Sequence, residues 1–201
     1  CIYGEKVWFL RAMRIVGVNG HFDPSEIRGV CLASEHLLYD AWAAHPDLNF
    51  DTEASTWPVA QTYRLKPVSL DIFGHLSEDP YASMDNAVLN SEENAESEIR
   101  AFKASGGGLI VDTTPIGSGR NPRALRRLST ATGVPVVMSV GFSVRRTHPA
   151  RIASESDEDL TLSMVRELQG GCVDSDADNR IMPGAISLEL SDAPDPQEAR
   201  L

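Results

Sequence analysis

From residue 93 onward the chain alternates amphipathic stretches of helical period with short apolar runs, and this alternation restricts the fold more than any other feature of the sequence. Glycines follow the amphipathic stretches, and each apolar run is short enough to form one strand. The pattern predicts repeated βα units on a parallel sheet. The predicted helices and strands are, in chain order, residues 93–105, 109–111, 122–132, 134–140, 157–169 and 185–190.

The chain before residue 93 carries weaker signals. Residues 13–18, followed by an Asn-Gly pair, predict one arm of a hairpin. Residues 29–33 predict a short buried strand. The segment between Tyr39 and Glu92 is rich in Asp, Pro, Ser and Asn, so we predict a long loop there. Loops of that length usually belong to a working site.

The pattern amounts to four strand-then-helix units, with strands beginning near Val30, Leu109, Val134 and Ala185. Four units are half of a (β/α)8 barrel, whose complete form has about 250 residues, and this chain has 201. Four units also suffice for a small open doubly wound sheet, and periodicity alone does not separate the two. The first residue is not Met and Leu201 falls in the first turn of a predicted helix, so we expect a part of a longer protein.

Charge and composition argue against several classes of protein. The 18 basic and 29 acidic side chains give a net charge of -11, which argues against nucleic-acid binding because phosphate backbones are bound by clustered Lys and Arg. No stretch approaches the roughly 20 apolar residues of a membrane span, so we expect no membrane association. Three widely spaced cysteines without a CxxC pair predict neither a disulfide framework nor a thiolate zinc site. They favour a reducing, cytoplasmic location.

Two stretches match ligand-binding motifs only in part. Residues 117–122, Gly-Ser-Gly-Arg-Asn-Pro, begin like a dinucleotide-binding loop. Pro122 occupies the third glycine position, so we interpret the stretch as a βα turn. Residues 174–179, Asp-Ser-Asp-Ala-Asp-Asn, begin like a calcium loop. The glycine at the sixth position and the closing Glu are absent, so a solvated acidic turn is the better interpretation.

Two polar side chains at predicted strand ends are candidate site residues. In a barrel the active site lies at the carboxyl ends of the strands. His36 follows the first predicted strand, where it would also fit a hydrogen-bonded structural role. Glu189 lies among apolar residues at the end of the fourth, where an acid needs solvent, a cationic partner or a divalent metal.

Residues 106–142, GGGLIVDTTPIGSGRNPRALRRLSTATGVPVVMSVGF, resemble the second and third βα units of the phosphotriesterase family in the amidohydrolase superfamily. Residues 22–37 resemble that family's opening, where a Pro-containing turn leads into a first strand ending in His-Glu-His. Residues 79–86 resemble the segment before its second strand. The resemblance implies a TIM (β/α)8 barrel of which this chain carries the first four βα units. These form one incomplete domain, with a hairpin and lead-in at 1–28 and the βα units at 29–201.

The resemblance also implies a zinc-type binuclear metallohydrolase, in which a metal-activated hydroxide attacks small-molecule esters, lactones or phosphotriesters. Carried onto this chain, it makes His36 and Glu189 metal ligands, the latter as in the glutamate-bridged branch of the family. Ser34 stands where the other histidine of the first strand is expected, and a hydroxyl is a weaker zinc ligand than imidazole. Phe142 matches an aromatic place that lines the substrate pocket, and ordinary barrel-end packing explains it equally well. The remaining ligands of the family belong to later strands.

Ser34 motivates a second hypothesis, because it removes one expected ligand. In this hypothesis the chain belongs to a non-catalytic relative that keeps the barrel for binding or assembly. An open half-sheet also has unpaired edges, which favour a homo-oligomer or aggregation. The sequence does not choose among the three substrate classes.

Overall fold

The structure is a computed structural model that describes residues 14–43, 63–172, 180–191, 193–194 and 196–201. The strands are β1 (Ile15–Gly17), β2 (Gly20–Phe22), β3 (Val30–Glu35), β4 (Tyr39–Asp40), β5 (Val88–Leu89), β6 (Gly107–Asp112), β7 (Val136–Phe142) and β8 (Ala185–Leu188). The helices are α1 (Phe73–Glu78), α2 (Met84–Ala87), α3 (Glu92–Ala104), α4 (Pro122–Thr132) and α5 (Asp157–Gly170). All the helices and strands predicted from residue 93 onward are present, with ends shifted by one or two residues in most cases.

Strands β3, β6, β7 and β8 form one parallel sheet in which the spatial order equals the chain order. A doubly wound sheet reverses its order at a switch point, and the four described strands show no reversal. Helices α3, α4 and α5 form the crossovers between successive strands. The arrangement confirms the prediction of the first four βα units of a TIM barrel.

Helix α4 shows how local sequence sets a crossover. Asn121 caps its N-terminus by accepting a hydrogen bond from the Ala124 backbone N–H at 3.1 Å. Pro122 fits the first turn because no backbone donor is needed there. Gly133 ends the helix in the left-handed conformation, at φ 66°. The core that α4 helps to form consists of Val18, Leu38, Ala95, Ile99, Ile110, Ala124, Leu125, Leu128, Val134, Val136, Met138, Cys172 and Ile181.

A bulge in β3 decides which of its side chains face the barrel interior. Leu32 pairs with Ile110 and Glu35 pairs with Asp112, so three steps along β3 match two along β6. One extra residue reverses the alternation of faces. Leu32 packs against the core on the helix side, and after the bulge Glu35 lies on that side too. Ser34 therefore faces the interior.

The segment between Tyr39 and Glu92 is not the continuous loop that we predicted. In its described part, α1 and α2 precede β5, and β5 pairs antiparallel with β4. The prediction was wrong because helices of four to six residues are too short to show a helical period. Earlier in the chain, β1 and β2 form the predicted hairpin. Among the described helices, none has the length and apolar character that crossing a membrane requires.

Candidate active site

Polar side chains gather where the four parallel strands end. His36 follows β3, Thr113 and Thr114 follow β6, Ser143 follows β7, and Glu189 follows β8. Because the carboxyl ends of the strands carry the active site in (β/α)8 barrels, this edge is the candidate site. The structure places both predicted ligands, His36 and Glu189, on it.

His36 is held by one ring nitrogen, which leaves the other for a ligand. The Thr114 hydroxyl donates a hydrogen bond to the Leu38 carbonyl at 3.1 Å and lies 2.9 Å from His36 Nδ1. A hydroxyl has one proton, so Thr114 accepts its second hydrogen bond from Nδ1–H. In the neutral tautomer the lone pair of the imidazole is therefore on Nε2. A second hydrogen bond of this kind fixes the tautomer and orientation of metal-binding histidines.

Glu189 is fixed from the neighbouring strand. Its backbone N–H donates to the Phe142 carbonyl at 3.1 Å, which continues the pairing of β8 with β7 by one residue. Its carboxylate accepts a hydrogen bond from the Ser143 hydroxyl. Sequence reasoning found Glu189 and missed Ser143, because a serine after a strand carries no spacing signal.

Asp112 ties the first two strand ends together. Its side chain is fully buried and accepts hydrogen bonds from the backbone N–H of Leu37 at 2.9 Å and of Thr114 at 3.1 Å. Burial raises the pKa of the carboxyl above its usual value, although these hydrogen bonds and the nearby His36 act in the opposite direction. The acid directly after the apolar run 109–111 was a signal that sequence reasoning did not use.

Tyr39 packs against His36, one of the two predicted ligands. Its ring centroid is 4.9 Å from that of His36, with the two rings inclined at 42°. Burial raises the pKa of Tyr39, and the neighbouring Tyr81 and the negative charge of Glu189 raise it further, against a smaller lowering by Ser118. The phenol is therefore a neutral hydrogen-bond donor at physiological pH. No sequence pattern indicates Tyr39, because its position depends on how the chain turns back after β3.

The other two predicted site residues have different surroundings. The Ser34 hydroxyl lies 3.2 Å from Thr113 Oγ1. Phe142 is 4% exposed and packs with Ile152 and Leu160 in the layer between β7 and α5, where it borders a cavity of about 690 Å³. A substrate-pocket role for Phe142 stays a prediction.

The two partial motifs had different outcomes. Residues 117–122 form the βα connection into α4, with a short 3-10 turn at Ile116–Ser118 followed by the cap of α4. The acidic stretch 174–179 lies outside the described residues.

The donor set at the strand ends fits a divalent metal in kind but not in number. An imidazole nitrogen and a carboxylate oxygen are ligands that zinc accepts, and zinc sites use three or four protein ligands. Among the residues that the structure describes, no group of three His, Cys, Asp or Glu could hold a metal ion. A metal at these strand ends would need further ligands from outside the described residues.

A sequential parallel sheet with polar groups at its carboxyl edge defines part of a TIM barrel with a strand-end site. The model of the Phosphotriesterase family matches residues 13–193, and the chain belongs to that family. It is 30% identical over 161 residues to an N-acetyltaurine hydrolase of Rattus norvegicus, covering 79% of this chain and 43% of that protein. It is 35% identical over 158 residues to a phosphotriesterase-related protein of Nematostella vectensis, covering 77% and 43%.

Solved structures agree with this assignment. A resiniferatoxin-binding protein from Rhodobacter sphaeroides superposes with a TM-score of 0.73 and 31% identity, over 95% of this chain and 50% of that one. A lactonase from Listeria monocytogenes superposes with a TM-score of 0.64 and 17% identity, over 94% and 51%, and that likeness concerns the fold alone. The chain spans about half the length of the relatives that it matches.

Proposed function

We propose that this chain supplies the first four strands, and part of the catalytic centre, of a hydrolase that acts on small molecules. The observation that carries the proposal is the pair of predicted ligands at the carboxyl ends of β3 and β8, with His36 Nε2 left for a ligand and Glu189 held by Ser143 at the end of β7. A relative named as an N-acetyltaurine hydrolase supports hydrolysis. The proposed substrates are esters, lactones, phosphotriesters and, from that relative's name, an N-acetyl amide.

The proposed cofactor is a divalent metal, zinc first, which when bound supplies an activated hydroxide and polarises the scissile carbonyl or phosphoryl group. His36 and Glu189 would hold it together with ligands from outside the described residues. Thr114 keeps the His36 lone pair on Nε2, and Ser143 orients the Glu189 carboxylate. Tyr39 packs its neutral phenol ring against His36 and would line the site there.

The test is hydrolysis by the full-length protein of N-acetyltaurine, a γ-lactone and an aryl phosphotriester, measured before and after Glu189→Gln. This substitution keeps the shape and removes the negative charge, so we expect kcat/KM for the best substrate to fall by about 100-fold. Glu96→Gln, in an exposed ion pair on α3, is the control and should leave the rate unchanged. No activity on any of the three substrates, or full activity of the Glu189→Gln variant, contradicts the proposal.

A second candidate function is ligand binding without catalysis. Two observations favour it: Ser34 stands in place of an expected histidine and contacts Thr113, and one structural neighbour is named for binding resiniferatoxin.

Metal analysis of the purified full-length protein separates the two candidates. Two tightly held equivalents per chain are expected for the hydrolase, and none for the binding protein. Ser34→His should raise metal affinity only if the other ligands of the site exist, since imidazole is the stronger zinc ligand.

A further inference from the structure

A row of hydrogen bonds runs from the end of the described chain to the Glu189 carboxylate. The side-chain amide of Gln197 lies 3.0 Å from His148 Nδ1, and His148 Nε2 lies 2.7 Å from the Ser143 carbonyl oxygen. The Ser143 hydroxyl then donates to Glu189 Oε2. His148 is 7% exposed and Ser143 is 2% exposed, so water competes little with these bonds.

The direction of each bond is fixed by chemistry. A carbonyl oxygen can only accept a hydrogen bond. His148 Nε2 therefore carries a proton and donates a hydrogen bond to the Ser143 carbonyl oxygen. In the neutral ring Nδ1 is then an acceptor, and it receives the amide N–H of Gln197. Ser143 is thereby held through its backbone carbonyl, and its hydroxyl donates a hydrogen bond to the Glu189 carboxylate.

The Gln197 end of this row is anchored by a second set of contacts. Glu198 is 3% exposed and accepts hydrogen bonds from the backbone N–H of Arg145 at 2.6 Å and of Ser191 at 3.2 Å. Arg200 lies 2.7 Å from the Asp157 carboxylate at the start of α5. The turn that carries Gln197 is therefore fastened to the loop after β7 and to α5.

The Glu189 carboxylate has one hydrogen-bond donor in the described part of the chain, the Ser143 hydroxyl, which binds Oε2. Among the described side chains and backbone groups none donates to Oε1, which leaves this oxygen for a ligand.

We propose that Ser143 is a positioning residue that orients the Glu189 carboxylate toward the candidate site, and that His148 and Gln197 hold Ser143 in place. The inference rests on the proposed function only in that Glu189 is taken as a ligand. Hydrogen bonds to a ligating carboxylate hold it in the geometry that the ligand requires, and their loss lowers affinity without removing a ligand atom.

The experiment uses the full-length protein and three variants. Ser143→Ala removes the hydroxyl, and Ser143→Thr keeps it. Ser139→Ala is the matched control, because Ser139 is a fully buried serine of β7 whose hydroxyl has no partner among the described residues. Each protein is crystallised without added metal, and each is titrated with Co²⁺ while the visible absorption spectrum is recorded.

In the metal-free crystals we expect Glu189 of Ser143→Ala to leave the wild-type rotamer, and Glu189 of the other two variants to keep it. In the titration we expect the Co²⁺ dissociation constant of Ser143→Ala to rise by 10- to 100-fold. Ser143→Thr should stay within about threefold of wild type because it retains the donor, and Ser139→Ala should match wild type.

Unchanged Glu189 geometry in Ser143→Ala, or a Ser143→Thr variant as weak as Ser143→Ala, overturns the inference. A wild-type protein that binds no Co²⁺ and hydrolyses nothing overturns the proposed function instead. In that case the Glu189 rotamers in the metal-free crystals still test whether Ser143 orients the carboxylate.

Discussion

At the scale of single residues, Asp112 joins β6 to the chain that follows β3. Its carboxylate accepts two backbone hydrogen bonds that hold the turn carrying His36. The Asp112 side chain that makes these contacts is fully buried. Burial disfavours the charged form more than the hydrogen bonds favour it, which raises the pKa of the group in the folded state.

The raised pKa gives the free energy of unfolding a defined pH dependence. A group whose pKa is higher in the folded than in the unfolded chain stabilises the fold fully below the unfolded value, and this contribution is lost as the pH rises through the folded value. Asp112→Asn has the same shape and does not titrate. Subtracting its free energy of unfolding from that of wild type therefore removes the contributions of the other titratable groups. We expect the stability of wild type relative to Asp112→Asn to fall as the pH rises from the usual carboxyl pKa through the raised pKa of the folded state, by at most about 1.4 kcal/mol per pH unit. Urea denaturation measures it, and a relative stability that rises with pH would show that the hydrogen bonds outweigh burial.

The candidate site was predictable from the sequence at the two residues that chemistry marks. His36 and Glu189 are polar side chains that directly follow strands of the parallel sheet. Their place after the strands is enough to put both at the carboxyl ends of the sheet. Tyr39 and Ser143 could not be predicted, because each depends on how a loop after a strand turns back across the sheet. The tautomer of His36 depends likewise on Thr114, which is 78 residues away along the chain.

At the scale of the element, the pairing of β7 with β8 requires a glycine. Gly141 has φ 140°, and a Cβ atom built there would lie 1.8 Å from the Ser187 carbonyl oxygen on β8. A side chain at this position therefore meets both unfavourable backbone geometry and the neighbouring strand.

We expect Gly141→Ala to lower the free energy of unfolding by more than about 3 kcal/mol, because rigid backbone must move to admit the methyl group. Gly74→Ala is the matched control, since nothing lies within 4 Å of its Cβ position in α1. The control should be neutral or stabilising by up to about 1 kcal/mol, because alanine favours helix. Chemical denaturation of the full-length variants measures both, and equal stability of the two variants would contradict the expected close approach.

Elements with strong local signals were predicted, and those that depend on other parts of the fold were not. Asn121, Pro122 and Gly133 mark both ends of α4 in the sequence itself. The bulge in β3 leaves no such mark, because it exists only relative to β6. The helices α1 and α2 were not predicted, because they are too short to show a helical period in the sequence.

At the scale of the whole chain, β3 and β8 are the edge strands of the described sheet. Among the described residues β3 pairs only with β6, and β8 pairs only with β7. Apolar side chains on these edge strands are exposed, with Val30 at 56%, Ile186 at 58% and Leu188 at 45%. Unpaired strands with apolar side chains are templates for association.

We expect residues 1–201, produced alone, to self-associate in a concentration-dependent manner. Val30→Lys combined with Ile186→Lys should shift the sedimentation velocity distribution toward monomer, because charged edge strands resist pairing. Leu65→Lys is the control for added charge, since Leu65 is 84% exposed and belongs to neither edge strand. Monomeric behaviour of the unaltered chain at all concentrations would contradict the prediction.

The sequential strand order has a consequence for the way this sheet is made. Each strand lies next to the one synthesised before it, so every strand emerging from the ribosome meets a partner that is already outside the exit tunnel. From β6 onward, pairing closes only the loop through one crossover helix, α4 or α5, which keeps the entropy cost of loop closure small. The sheet can therefore grow one strand at a time during translation, from β3 toward β8, with its leading edge always ready for the next strand.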